Sequence, residues 1–104
     1  GLEIKKGLLI INHDYIRGGS VHKYRFQNGG IYLIGAGSSI GGASYFSGID
    51  YNLSTGKYIS TYENWDNHKD LPKSSKKEGT KKLTTLPNIE TFEIYSLEVA
   101  GHTF

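Results

Sequence analysis

His13 and His22 lie on either side of a Gly18-Gly19 pair, each in a run of β-branched and aromatic residues. Imidazoles on adjacent strands can shuttle protons or ligate a metal, because they titrate near neutrality and offer a nitrogen lone pair. A turn at the glycines sets the two rings diagonally on one sheet face, beside Tyr15 and Tyr24, and strand alternation sends Asp14 to the other. No third ligand is supplied, since neither His68 nor His102 joins the pair by any sequence argument, so no metal is expected. One catalytic reading stays open: a small nuclease using His13 and His22 with Lys23 or Arg25. The chain holds no Cys and no Gly-x-Ser-x-Gly elbow, and no catalytic set is complete, so the expectation is a protein that is not an enzyme.

The run Ile34-Gly35-Ala36-Gly37-Ser38-Ser39-Ile40-Gly41-Gly42 imitates a dinucleotide-binding turn, in which glycines let the backbone approach a pyrophosphate at a helix N-terminus. That chemistry needs a helix next, yet residues 43 to 52 read as a strand, and the strand before the glycines belongs to an antiparallel hairpin. The run is therefore expected to be a flexible loop between hairpins, with no cofactor.

Lys69, Lys73, Lys76, Lys77, Lys81 and Lys82 are interspersed with Asp66, Asp70 and Glu78, and no aromatic residue in that run could stack on bases. The polar stretch predicts an exposed, mobile loop at 66–80 that suits an acidic protein surface better than a specific nucleic acid. Tyr58, Tyr62 and Trp65 precede it, and aromatic side chains of this kind anchor protein interfaces. The candidate partner-binding set is thus Tyr58, Tyr62, Trp65, Lys69, Lys73, Lys76 and Lys77.

The elements that position these residues are mostly strands. With 104 residues, 37% of them hydrophobic and 12% aromatic, the chain fits a single folded domain, 1–104. Asn28-Gly29 tolerates the positive φ of a type I′ turn, so Val21 to Ala36 forms a hairpin pairing Phe26 with Ile31, Tyr24 with Leu33 and Arg25 with Tyr32. Leu8 to Tyr15 adds a strand upstream, and Leu2 and Ile4, alternating with charges, mark a short edge strand. A second hairpin, Tyr45 to Asn52 and Lys57 to Trp65, turns at Leu53-Ser54-Thr55-Gly56 and pairs Tyr51 with Tyr58, Ile49 with Ser60 and Ser47 with Tyr62. Lys81 to Leu86 reads as a further strand, and Ile89 to Val99 as either a strand or a short helix. The fold class is all-β and mainly antiparallel: a meander plus a second hairpin, forming a twisted sheet, a sandwich or a partly open barrel, with that short C-terminal helix as an option. No run is long and apolar enough for a transmembrane helix. A start at Gly1 rather than Met implies processing or truncation, and leaves the compartment open.

Two stretches carry a resemblance. Tyr24-Arg25-Phe26-Gln27-Asn28-Gly29, continuing to Tyr32-Leu33-Ile34-Gly35, and Tyr51-Asn52-Leu53-Ser54-Thr55-Gly56-Lys57-Tyr58 resemble the C-terminal β module of a group of uncharacterised secreted or envelope-associated bacterial proteins. The resemblance implies a structural or binding module and brings no catalytic residues. Gly30 stands where the group usually has a longer residue. Small bacterial β proteins of this kind also serve as immunity partners of secreted toxins, including those of contact-dependent inhibition systems, so a toxin-neutralising inhibitor is the leading functional expectation. A structural envelope module and the small nuclease are the alternatives.

Overall fold

The computed structural model describes residues 1–65 and 73–104. Its body is a seven-stranded antiparallel sheet in chain order, β1 (Leu2–Lys5), β2 (Leu8–Tyr15), β3 (Gly18–Gln27), β4 (Gly30–Gly41), β5 (Tyr45–Asn52), β6 (Lys57–Asn64) and β7 (Ser74–Thr80). Strands β8 (Glu98–Val99) and β9 (His102–Thr103) make a small second sheet. Because β1 and β7 do not pair, the meander is an open sheet rather than a barrel. Among the described residues there is no helix, and so none long and apolar enough to cross a membrane.

Local turn chemistry sets the hairpins. Asn28 and Gly29 have φ of 51° and 78°, the left-handed pair that a two-residue type I′ turn requires. The register follows as expected, with Phe26 opposite Ile31, Tyr24 opposite Leu33 and Arg25 opposite Tyr32. Gly56, with φ of 82°, closes the second hairpin, helped by the Thr55 N–H donating to the Asn52 side chain at 3.1 Å. Tyr51 meets Tyr58, Ile49 meets Ser60 and Ser47 meets Tyr62, again as the sequence predicts. The first turn falls earlier than expected: Tyr15 pairs with Gly18, so Ile16 and Arg17 turn the chain and the glycines belong to β3.

Three expectations need correction. The glycine run is no loop: residues 35–41 are the second half of β4, bonded to β3 on one side and β5 on the other. Two flanking ladders offset the entropy that glycine loses in a strand, which no local propensity reveals. Nor is the Lys-rich segment a loop over its whole length, because Ser74–Thr80 forms β7 against β6. An edge strand pairs through its backbone on one side and leaves both side-chain faces wet, so it shows no apolar alternation. At the C-terminal end, Lys81 to Leu86 forms no strand, and Ile89 to Val99 is neither a long strand nor a helix. That segment instead runs over the sheet as a strap of turns. It bonds the free edge of β4 through Leu33 N–H to Pro87 C=O at 2.8 Å and Ile89 N–H to Ile31 C=O at 2.9 Å.

The strap creates the core. Val99 and Phe104, with the half-buried Leu86, Ile89 and Leu97, pack on Tyr24, Leu33, Ala36, Ile49, Tyr51 and Leu53 of one sheet face. A bulge explains how Leu33 and Ala36 both point inward: the register shifts between Lys23 and Tyr24, which leaves Ile34 as the extra residue of β4. Tyr51 satisfies its buried hydroxyl by donating to the Lys81 carbonyl at 2.5 Å. The opposite face of the sheet has no such cover among the described residues.

Candidate functional site

On the uncovered face the ladder sets residues in rows that cross the strands. One row runs Asn12, Val21, Gly37, Asp50, Ile59, Glu78; its neighbour runs Asp14, Gly19, Ser39, Gly48, Thr61, Lys76. Gly35, Gly37, Ser39 and Gly41 alternate along β4 and keep the middle of this face low. A side chain at Gly37 would press on Val21 Cγ1 and Asp50 Oδ1, at 3.0 and 3.3 Å from its Cβ, and the Phe46 ring lies over Gly48. The result is a shallow trough in two lobes of about 380 and 670 Å³ that share Val21, Asp50 and Ile59. Apolar Val21, Phe46 and Ile59 sit among Asn12, Asp14, Lys23, Asp50 and Thr61, which gives an apolar strip with a polar, mixed-charge surround.

Sequence reasoning missed this trough, although glycines spaced two apart in a strand leave one face without side chains. It placed the histidine pair on one face, and there the rings do meet, with centroids 6.1 Å apart in an edge-on arrangement. His22 is only 1% exposed and lies under Phe92 of the strap, with ring centroids 5.5 Å apart. Lys23 and Arg25 alternate to the other side of the sheet, and a phosphodiester could not reach His22 without lifting Phe92. Among the described residues, no group of three or more His, Asp or Glu side chains is gathered to hold a metal.

Burial, and secondarily the nearby His13, holds the His22 imidazole below its ordinary value of 6.5. Its Nε2 is buried with no hydrogen-bond partner among the described residues. The unfolded chain therefore takes up a proton that the folded one refuses as the pH falls below 6.5, and stability falls with it. Burial also lowers the pKa of His102, which faces Ser60 Oγ at 3.2 Å. The unfolding free energy from urea denaturation should fall as the pH drops below about 6.5, by at most about 1.4 kcal/mol per pH unit for the buried His22 proton and by less for the more exposed His102. His22→Leu should flatten that slope, leaving the His102 share; a slope unchanged in this variant would show that His22 is not the group responsible.

The other candidates do not form one patch. Tyr58 and Tyr62 point to the strap side of β6, where the Tyr58 ring covers Gly79 and Tyr62 stacks on Tyr45 at 6.5 Å. Trp65 follows β6 and is 60% exposed. Lys76 lies on the trough side, paired with Glu78 at 3.4 Å; Lys77 alternates to the strap side, and Lys73 is exposed just before β7. Lys69 lies outside the described residues.

Fold and site together define an all-β protein built on an open antiparallel sheet that the strap covers on one face, with no such cover on the other among the described residues. No family model, curated protein or solved structure matches the chain.

Proposed function

We propose that the chain is a non-catalytic protein-binding domain that meets its partner with the trough face of its sheet. The observation that carries this reading is the contrast between the two faces of one rigid sheet. The strap covers the centre of one, outside which Leu2, Ile4, Phe26 and Ile40 stay exposed at its margins, while the other leaves Val21 and Ile59 accessible inside a polar surround. An apolar centre with a wet rim is the anatomy of a non-obligate protein interface. The lack of side chains at Gly35, Gly37 and Gly41, with only the small Ser39 between them, lets a partner's backbone approach closely. Lys76 borders this face and extends it toward the basic edge of the sheet.

The motif resemblance supports a narrower version, in which the partner is a secreted bacterial toxin and the chain inhibits it. A toxin encoded beside this chain, whose growth arrest is relieved by co-expression, would bear out that version.

The broader reading is tested with a Val21→Lys, Ile59→Lys double variant that melts like the parent chain. A protein captured by the parent should be lost by this variant and kept by Phe26→Ser, whose parent side chain is 70% exposed and lies off the trough. Retention by the double variant would overturn the reading. So would cleavage of RNA by the purified chain that disappears in His13→Ala.

A further inference from the structure

The sheet stops at β7 without closing, and the pairing there can be worked out group by group. Asn64 N–H donates to Lys73 C=O at 2.8 Å, and Lys81 N–H to Gly56 C=O at 2.7 Å. In an antiparallel ladder, hydrogen-bonded and non-bonded pairs alternate. Lys73, Ser75, Lys77, Gly79 and Lys81 therefore turn their backbone groups toward β6. Ser74, Lys76, Glu78 and Thr80 turn theirs outward, and among the described residues no strand pairs with that edge. An exposed row of unpaired N–H and C=O groups is a template for another strand.

The side chains of this edge select what can use it. Residues 73 to 82 carry five Lys against one Glu. Lys81 is held at the surface by its ammonium, which donates to the Glu98 carbonyl at 2.5 Å, while Lys73, Lys76 and Lys77 project from or just before the strand. A strand laid along β7 would set its side chains beside Lys76 on the trough face and beside Lys77 on the other. Carboxylates would be favoured at both. A second copy of the same edge, paired antiparallel over its full length, would set Lys77 against Lys77, which destabilises that pair, and match only Lys76 with Glu78, whereas an acidic strand meets both lysines favourably. The β1 edge is shorter, with four residues, and mixes Glu3 with Lys5.

We propose that the outer edge of β7 accepts an extended acidic segment of a protein partner as an eighth strand of the sheet. This rests on the protein-binding reading above and names the chemistry of the partner. The lysines that discourage indiscriminate edge pairing are the same groups that admit an acidic strand, so one feature serves both exclusion and selection.

The test is a nuclear magnetic resonance titration of the full chain with a synthetic peptide of repeating Glu-Glu-Val-Val, which presents carboxylates on both faces of a strand, and with its Lys-for-Glu counterpart. Only the acidic peptide should bind, with shift changes and slowed amide exchange at Ser74, Lys76, Glu78 and Thr80. Lys76→Pro removes an outward donor and leaves the bonds to β6 in place, as proline is tolerated on an edge with its nitrogen facing solvent; it should abolish binding. A Lys76→Glu, Lys77→Glu variant tests the same edge without touching the backbone, and should weaken binding by roughly tenfold or more. Equal binding of both peptides, shifts confined to the trough or to β1, or self-association through β7 would overturn the proposal. If a captured protein partner is lost by the trough variant but held fully by Lys76→Pro, the edge assignment fails and the protein-binding reading stands.

Discussion

Phe104→Ala should remove about 3–5 kcal/mol of folding stability, the cost of emptying a fully buried aromatic site. Phe104 is 0% exposed, and its ring lies 6.0 Å from that of Tyr51. Its N–H donates to the Leu97 carbonyl at 2.8 Å and its own carbonyl accepts from Tyr95, so the backbone holds the ring in place from both sides. Alanine keeps those bonds and leaves a hole between strap and sheet. Against a total of about 5–15 kcal/mol for a domain, that loss takes a large share of the stability. Urea denaturation should show a sharply lower midpoint for Phe104→Ala and a loss below about 1.5 kcal/mol for Phe104→Leu, which refills most of the volume. Phe26→Ala, at a site 70% exposed, should change stability by no more than about 0.5 kcal/mol. Equal effects at Phe104 and Phe26 would mean that the strap does not build the core.

The strap also marks where sequence reading runs out. The two hairpins were legible because their turns are local chemistry: Asn28-Gly29 and Thr55-Gly56 dictate reversal whatever the rest of the chain does. Residues 35–41 were not, because their strand state is imposed by partners on both sides rather than by their own propensity. β7 hid for a related reason, since a strand wet on both faces reads like a polar loop. Leu86, Ile89, Phe92, Leu97, Val99 and Phe104 keep neither a helical nor a strand period, because a strap of turns needs apolar contacts only where it touches the sheet.

The candidate sites divide in the same way. Strand parity alone brought His13 and His22 together, whereas the burial of His22 depends on Phe92, which arrives from the far end of the chain. Val21, Asp50 and Ile59 come from three strands and meet only through the ladder. No spacing within one segment could announce them. The alternation of Gly35, Gly37 and Gly41 was the available clue, and it points to a bare strand face once the segment is taken as a strand.

The proposed trough interface rests on one structural asymmetry: the same two strands, β5 and β6, carry a covered face and an open one. Ile49 and Ile59 are the pair that reads it, at 4% and 40% exposure. Ile49→Lys would force an ammonium into the core beneath the strap, at a cost of several kcal/mol. Ile59→Lys instead places the charge between Asp50 and Glu78, its cross-strand neighbours on the open face, where opposite charges are mildly favourable. The deciding measurement is the urea denaturation of these two variants beside the parent chain. Ile49→Lys should be largely unfolded without denaturant, and Ile59→Lys should unfold within about 0.5 kcal/mol of the parent. Comparable destabilisation of the two, or the reverse order, would contradict a sheet covered on one side only.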